Sequence, residues 1–213
     1  MHFKSHANIP VFVPHMGCPH LCVFCDQKSI SGEKDELTPE KAQNQIEEAL
    51  STLQGRRAEI AFFGGSFTAI EREKMIAFLA LASSYLKSGR VSGIRLSTRP
   101  DCVDEEILDI LSFYGVSAVE LGVQSLDEEV LKASGRRHSV KDTADACARI
   151  KQRGCFLLGC QMMLGLPAST REKELLTARE ICRMGADCTR IYPTVVLKDT
   201  PLEALWKKGL YRP

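Results

Sequence analysis

The sequence predicts an α/β protein in which helices cover a parallel β-sheet. Apolar segments of strand length alternate with amphipathic segments of helical periodicity along the whole chain, in six strand–helix units. The strand segments are almost continuously apolar, which is typical of strands buried on both faces of a parallel sheet. Right-handed crossovers leave two architectures open, a doubly wound sheet or a barrel, whole or partial.

Each strand and helix is expected in chain order. The strands are predicted at 9–15, 59–67, 93–100, 118–125, 155–164 and 188–196. Helices are predicted at 37–53, 71–87, 104–113, 140–153 and 202–210, with a short helix after residue 125 and another that follows residue 169 and ends near residue 184. Thr38 is the expected N-cap of the first helix. Capping boxes are expected to open two later helices, Ser125 with Glu128 and Ser169 with Glu172.

Size and composition indicate one globular domain over residues 1–213, with 44% apolar and 26% charged residues. A formal net charge of +1 gives no overall basic field that would indicate nucleic acid. No apolar run approaches the ~20 residues that span a bilayer, and the N-terminus lacks the apolar centre of a signal peptide. We therefore expect a cytoplasmic protein with reduced thiols, and we expect the six cysteines outside 18–25 to be buried small hydrophobic residues.

Polar and glycine-rich segments follow the predicted strands. The cysteine-rich "HMGCPHLCVFCDQKSISG" follows the first strand, and "GGSFT", "STRPD", "VQS" and "GLP" end the next four, while "YPT" lies in the sixth. In parallel α/β folds the carboxyl ends of the strands carry the chemistry. The sequence therefore predicts a functional site at this edge of the sheet.

Three cysteines stand within eight residues as Cys18-x3-Cys22-x2-Cys25, without a fourth nearby. Structural zinc and ordinary ferredoxin clusters both use four protein ligands. His15 or His20 would complete a zinc site, and thiols without any metal are a further alternative. The third alternative is a [4Fe–4S] cluster with one iron left open for a small chelating ligand.

This pattern, Cys-x3-Cys-x-aromatic-Cys after a first strand, resembles the signature of the radical S-adenosylmethionine (SAM) superfamily. The resemblance implies a [4Fe–4S] cluster on Cys18, Cys22 and Cys25, with SAM bound at the open iron. It implies that an electron from the cluster cleaves SAM to methionine and a 5′-deoxyadenosyl radical, which abstracts hydrogen from a substrate. Phe24, beside the third cysteine, would shield the cluster and stack on SAM.

A second segment, "FFGGSFT", resembles the glycine-rich segment of the same superfamily, whose backbone meets the amino group of SAM. The resemblance places Gly64, Gly65 and Ser66 in the SAM site, and glycine permits such a close approach. Glu120 and Gln124 lie four residues apart on one strand face and are candidates to bind the ribose hydroxyls of SAM. A structural Glu120 would instead require a basic partner.

Three further expectations concern neighbouring side chains. Arg136 is a candidate partner of the SAM carboxylate, with a solvated loop arginine as the alternative. Arg99 and Asp101 are expected to form an ion pair at the exit of the third strand. Met162 and Met163 are expected in the core.

Later segments resemble a narrower group. "STRPD", "VELGVQSLDEEVL", "GRRHS", "GLP" and "RIYPTVVLKDTPLEALWKKGLY" occur in the order found in the radical-SAM half of the Elongator catalytic subunit. This resemblance implies a partial (β/α)6 TIM-like barrel of the radical SAM type and modification of the wobble uridine of tRNA. No segment of these 213 residues resembles the acetyltransferase domain of that subunit, so acetyl transfer by this chain alone is not expected.

The resemblance leaves the partners and the substrate as expectations. A reductant such as flavodoxin or ferredoxin would supply electrons, and tRNA is the candidate substrate, with a small metabolite as the runner-up. Outside radical chemistry, a zinc-stapled binding module or an inert partial barrel remains as the alternative class.

Overall fold

The structure, a computed structural model of the chain, describes residues 6–13, 16–18, 22–26, 37–53 and 55–212. It contains one six-stranded sheet in the order β1-β2-β3-β4-β5-β6, and every neighbouring pair is parallel. The strands are β1 His6–Phe12, β2 Arg57–Phe63, β3 Gly93–Thr98, β4 Ala118–Gln124, β5 Leu157–Leu164 and β6 Cys188–Pro193.

Strand order decides between the two predicted architectures. A doubly wound sheet reverses its strand order at a switch point, whereas a barrel adds its strands consecutively. Here the order is consecutive, and among the described residues β1 and β6 do not pair with each other. The sheet is therefore a curled half-barrel, which confirms the prediction of a partial (β/α)6 TIM-like barrel.

Helices follow the strands as predicted. They are α1 Pro39–Thr52, α2 Arg72–Lys87, α3 Glu105–Phe113, α4 Glu128–Ala133, α5 Val140–Arg153, α6 Arg171–Arg183 and α7 Pro201–Lys207. Single 3-10 turns at Phe67–Ala69 and Pro100–Cys102 follow β2 and β3. No helix in the described part of the chain is long and apolar enough to cross a membrane.

Helix caps agree with the sequence at some positions and not at others. The Thr38 side chain accepts a hydrogen bond from the Lys41 N–H, so the predicted N-cap of α1 is confirmed. A capping box that was not predicted from the sequence opens α5, where the Ser139 side chain accepts from the Asp142 N–H and the Asp142 side chain accepts from the Ser139 N–H. This box uses Asp in place of the Glu or Gln of the usual pattern.

Both predicted capping boxes are wrong. Asp127 caps α4 and Thr170 caps α6, each with its own side chain. Ser125 instead accepts a hydrogen bond from the Asp127 N–H, and the Ser169 hydroxyl donates to Glu174. In each case a second capping residue stands closer to the helix, and either can satisfy the free N–H groups of the first turn.

The two faces of the sheet differ more than the sequence predicts. The outward face packs under the helices as one apolar core, with Ile60, Leu96 and Leu158 fully buried there. The inward face carries charged and amide side chains. Residues two apart along a strand point to the same face, so these side chains come from alternate positions of the strands. Members of the inward face include Glu59, Arg95, Glu120, Gln161 and Arg190, linked by hydrogen bonds and ion pairs.

The prediction that all six outlying cysteines are buried is wrong for most of them. Cys147 and Cys160 are buried, and Cys102 is partly buried. Cys155, Cys182 and Cys188 are exposed. Cys155 lies just before β5 and Cys188 begins the edge strand β6, where fewer neighbours cover a side chain.

Candidate functional site

A cavity of about 640 Å³ opens at the carboxyl ends of the strands. Most of the residues singled out by sequence line it together: Cys18, Cys22, Phe24, Cys25, Gly64, Gly65, Gln124 and Arg136. Ser66 and Glu120 do not line it, and both are almost fully buried. Residues far apart in sequence therefore meet at the edge where the fold class places chemistry.

The cysteine loop, defined here as residues 16–18 and 22–26, is fixed by backbone contacts at its centre. The Val23 N–H donates to the Ser134 carbonyl at 3.1 Å, and the Val23 carbonyl accepts from the Leu202 N–H at 2.9 Å. The Cys25 N–H donates to the Cys22 carbonyl at 2.9 Å, which closes a turn between these two thiols. The end of α4 and the start of α7 thus hold the loop over the barrel mouth.

Arg99 ties the first cysteine of the loop to the exit of β3. Its Nη1 donates to the Gly17 carbonyl at 2.7 Å, while Nε and Nη2 donate to the two Asp101 carboxylate oxygens at 2.9 and 3.0 Å. The predicted Arg99–Asp101 ion pair is confirmed. The pair orients the guanidinium toward the loop, so its role includes positioning the segment that precedes Cys18.

The glycine-rich segment after β2 packs directly under the cysteine loop. A Cβ on Gly65 would lie 2.3 Å from the Met16 carbonyl oxygen, and one on Gly17 would lie 2.2 Å from the Ser66 carbonyl oxygen. Glycine is required at both positions because no side chain fits between the two backbones. The Ser66 N–H donates to the Met16 carbonyl at 3.0 Å and completes this junction.

The Ser66 hydroxyl is engaged below the cavity. It accepts from the Arg99 N–H at 3.0 Å and lies 2.9 Å from the Thr98 hydroxyl, which in turn lies 2.6 Å from the Thr68 hydroxyl. These buried hydroxyls join the ends of β2 and β3. A direct contact of Ser66 with SAM stays a prediction.

Arg136 reaches from the loop after α4 into the cavity. Its Nη2 donates to the Gly122 carbonyl at 2.6 Å, and its Nη1 lies 3.5 Å from the Cys22 sulfur. Its Nε is buried and has no hydrogen-bond partner among the described residues. Arg136 is therefore not a solvated loop arginine. Its contact with the SAM carboxylate stays a prediction.

Gln124 ends β4 in an unusual conformation. Its φ is 64°, and the register of β4 against β5 shifts between Gly122 and Gln124. This bulge places the Gln124 amide beside Gly122, where a Cβ would lie 3.3 Å from Nε2. Gln124 Oε1 is buried without a partner among the described residues. An unpartnered acceptor that lines a cavity suits a ligand hydroxyl.

Glu120 lies beneath the cavity floor, only 1% exposed. Oε1 accepts from Arg95 Nη1 at 2.8 Å and from Arg190 Nη2 at 2.9 Å, and Oε2 accepts from Gln161 Nε2 at 3.1 Å. The basic partners that a structural role requires are therefore present. Contact of Glu120 with the SAM ribose stays a prediction.

Burial raises the pKa of the Cys18 thiol above its ordinary value. Arg99 and Arg136 act against this shift through their positive charges, while the neighbouring Cys22 adds to it. A buried thiolate needs a cation or a metal to be stable. The loop therefore favours a metal-bound thiolate over a free one.

The donor set fits a [4Fe–4S] cluster with SAM beside it. Three cysteines line one cavity, a glycine junction leaves backbone exposed beside them, and Gln124 and Arg136 carry unpartnered polar atoms. Within the described ranges, no three His, Cys, Asp or Glu side chains are grouped closely enough to hold a single metal ion. His15 and His20, the predicted fourth ligands of a zinc site, lie outside the described residues.

Several side chains that line the cavity were not predicted from the sequence. Gln161 and Arg190 extend from the inward faces of β5 and β6, and the Phe63 ring lies under Arg190. Met162 is in the core as predicted, but Met163 lines the cavity. Alternation along "GCQMML" and "CTRIYP" was the available signal, since every second residue there faces inward.

The chain matches one family model and several curated proteins. The Radical SAM superfamily model matches residues 12–181. An uncharacterized protein of Methanocaldococcus jannaschii is 31% identical over 96% of this chain and 66% of its own length. The tRNA uridine(34) acetyltransferase of Dehalococcoides mccartyi is 28% identical over 96% of this chain and 52% of its own length.

Among solved structures, Methanocaldococcus infernus Elp3 with an N-terminal deletion superposes with a TM-score of 0.74 at 26% identity, over 98% of this chain and 50% of that chain. The chain thus spans between half and two thirds of the length of these relatives. The predictions of an Elongator-like radical SAM sequence and of an enzyme of this class are confirmed. The chain belongs to the radical SAM superfamily.

Proposed function

We propose that this chain is a cytosolic enzyme that binds a [4Fe–4S] cluster on Cys18, Cys22 and Cys25 and cleaves SAM reductively. The observation that carries the proposal is the convergence of these three cysteines on one cavity with the Gly64–Gly65 backbone and Gln124. When bound, the cluster would supply the electron that cleaves SAM to methionine and a 5′-deoxyadenosyl radical, which abstracts hydrogen from the substrate.

The residues of the chain would prepare this cavity in three ways. Arg136 would offset negative charge at Cys22, and its buried Nε is available to a carboxylate oxygen of SAM. Gln124 Oε1 would accept a hydrogen bond from a ribose hydroxyl. Phe12, Phe24 and Phe63 line the cavity and would exclude water from a reactive radical.

For the substrate we propose the wobble uridine of tRNA. Support comes from two relatives, named as a tRNA uridine(34) acetyltransferase and as Elp3, which the chain matches over nearly its whole length. Their full activity belongs to proteins about twice as long as the matched part, so the reaction proposed for this chain is limited to radical formation and hydrogen abstraction. Flavodoxin or ferredoxin is the proposed reductant.

Anaerobic reconstitution tests the radical chemistry. The protein is supplied with iron and sulfide, then with SAM and dithionite, and 5′-deoxyadenosine is measured by chromatography. We expect a brown protein that forms 5′-deoxyadenosine, whereas Cys22→Ala forms neither. Cys155→Ala is the matched control, because Cys155 is exposed and lies outside the cavity lining.

A colourless wild type that binds zinc and forms no 5′-deoxyadenosine would reject the proposal in favour of a zinc-stapled module. The substrate is tested separately by titrating the reconstituted protein with tRNA at several salt concentrations. Affinity that falls steeply with salt supports a tRNA complex. Salt-independent affinity, or none, favours a small metabolite.

A further inference from the structure

Glu120 controls the orientation of two side chains on the cavity floor. Its carboxylate is an acceptor only, so the group that faces it must be a donor. Gln161 therefore turns its NH2 toward Glu120 Oε2, 3.1 Å away, and its carbonyl oxygen away from it. Arg190 donates Nη2 to Oε1 at 2.9 Å. Glu120 is 1% exposed, so water does not compete for these contacts.

This arrangement leaves one acceptor and several donors directed at the cavity. Gln161 and Arg190 are register partners on β5 and β6, and both line the cavity. Adjacent strands are roughly 4.8 Å apart, so the two side chains can contact one small group together. No described residue donates to Gln161 Oε1, and the guanidinium N–H groups of Arg190 on Nε and Nη1 have no acceptor among the described residues.

Aromatic rings lie beside this pair. The Arg190 guanidinium carbon lies 4.7 Å from the centre of the Phe63 ring, within the range of a cation–π contact. Phe12 and Tyr192 also line the cavity and are 37% and 40% exposed. The surroundings therefore suit a flat ring whose faces contact aromatic side chains and whose edge contacts Gln161 and Arg190.

The charges beside this pair do not favour an oxyanion at Arg190. Arg95 bridges Glu59 and Glu120, and Arg190 contacts Glu120, so two guanidinium groups meet two carboxylates. These four groups balance one another, and the positive charge of Arg190 is already compensated by Glu120. A neutral ligand is favoured if it offers an acceptor to Arg190 next to a donor for Gln161.

We propose that Gln161 and Arg190, oriented by Glu120, bind the imide edge of a uracil base. In that edge a ring carbonyl accepts from Arg190 while the adjacent N3–H donates to Gln161 Oε1. Either carbonyl of uracil provides this pair, and 3-methyluracil provides neither, because a methyl group replaces the hydrogen on its N3. The inference deepens the proposed function and depends on it, since it names the side chains that would recognise the uridine substrate.

The test uses the reconstituted full chain with saturating SAM and two nucleoside probes. Saturation-transfer NMR titrations compare uridine with 3-methyluridine, which lacks the N3–H. We expect uridine to bind at least about fivefold more tightly than 3-methyluridine, the low end of the discrimination by a paired donor and acceptor. Gln161→Met is expected to remove this preference.

Matched variants separate recognition from folding. Gln152→Met and Arg183→Lys place the same changes on the exposed faces of α5 and α6, and uridine binding should be unchanged. Arg190→Lys keeps the charge beside Glu120 but loses the planar fork, so it should fold and bind uridine at least about fivefold more weakly. Melting temperatures verify that each variant is folded.

Three results would overturn the inference. One is equal affinity of the wild type for uridine and 3-methyluridine. Another is unchanged uridine binding by folded Gln161→Met and Arg190→Lys. The third is weaker SAM binding by these variants with uridine binding intact, which would assign the pair to the adenine of SAM. Formation of 5′-deoxyadenosine is measured in parallel, and its absence from the wild type would reject the proposed function itself.

Discussion

The Arg136 guanidinium lies 3.5 Å from the Cys22 sulfur and, through its other terminal nitrogen, donates to the Gly122 carbonyl at 2.6 Å. The second contact fixes the first, because the carbonyl at the end of β4 holds the side chain in the cavity. A cation beside a ligand sulfur stabilises the extra electron of a reduced cluster, and hydrogen bonds to sulfur tune cluster potentials.

Arg136→Gln is therefore expected to lower the midpoint potential of the reconstituted cluster. A loss of about 1 kcal/mol of differential stabilisation corresponds to about 40 mV, since 59 mV is tenfold in a one-electron couple. Redox titration followed by electron paramagnetic resonance measures the shift. Arg137→Gln is the control, because Arg137 is the exposed neighbour. An unchanged potential with weakened SAM binding would show that Arg136 serves the SAM carboxylate instead.

Gly17 and Gly89 form a natural pair for testing the junction beneath the cysteine loop. Both have φ of +71°, but a Cβ would lie 2.2 Å from the Ser66 carbonyl oxygen at Gly17 and meets nothing within 4 Å at Gly89. Gly89→Ala should lower the free energy of unfolding by about 1–2 kcal/mol, which is the penalty for a side chain in the left-handed backbone conformation. Gly17→Ala must also displace the backbone at Ser66, so it should lower the free energy of unfolding by more than Gly89→Ala does. It should also reduce iron binding, because it shifts the cysteine loop.

Urea unfolding and iron content measured on both glycine variants check this prediction. Equal losses of unfolding free energy, with full iron content in both, would contradict the close packing of the loop against the segment after β2.

The strands and the location of the site were predictable from sequence because both depend on local patterns. Apolar runs and glycine-rich segments at strand ends need no tertiary contact to be recognised. The polar inward face was not predictable in the same way. In the sequence, Glu120 is a single charged residue within an apolar strand segment, and this does not predict a polar face. Its partners Arg95, Gln161 and Arg190 lie on three other strands. Strand pairing brings Arg95 and Gln161 beside Glu120, and Arg190 reaches it from β6, one strand further.

His138 should make the folded state sensitive to acid. Burial, and then the positive charge of Arg136, lower its pKa from 6.5 to about 4, although the Val123 carbonyl, Asp101 and Asp142 act in the opposite direction. The folded protein therefore keeps His138 neutral where the unfolded chain takes up a proton. His138 therefore leaves the free energy of unfolding unchanged above pH 6.5. As the pH drops from 6.5 toward 4, it lowers the free energy of unfolding by up to ~3 kcal/mol.

Unfolding free energies at pH 7 and pH 5 measure this dependence. His138→Gln retains an N–H donor for the Val123 carbonyl but does not titrate, so its stability should fall less over the same interval. An identical decrease in the wild type and the variant would assign the acid sensitivity to other groups.

Glu120→Ala should be among the most destabilising single substitutions in the barrel. It leaves Arg95 and Arg190 without the carboxylate that they share, and breaking a buried pair typically costs about 3–5 kcal/mol. Glu105→Ala, which removes a surface partner of Arg153, should cost at most about 1 kcal/mol. Urea unfolding of the two variants separates the cases. Comparable small losses would mean that water reaches the Glu120 carboxylate, and the SAM ribose would again be a candidate partner.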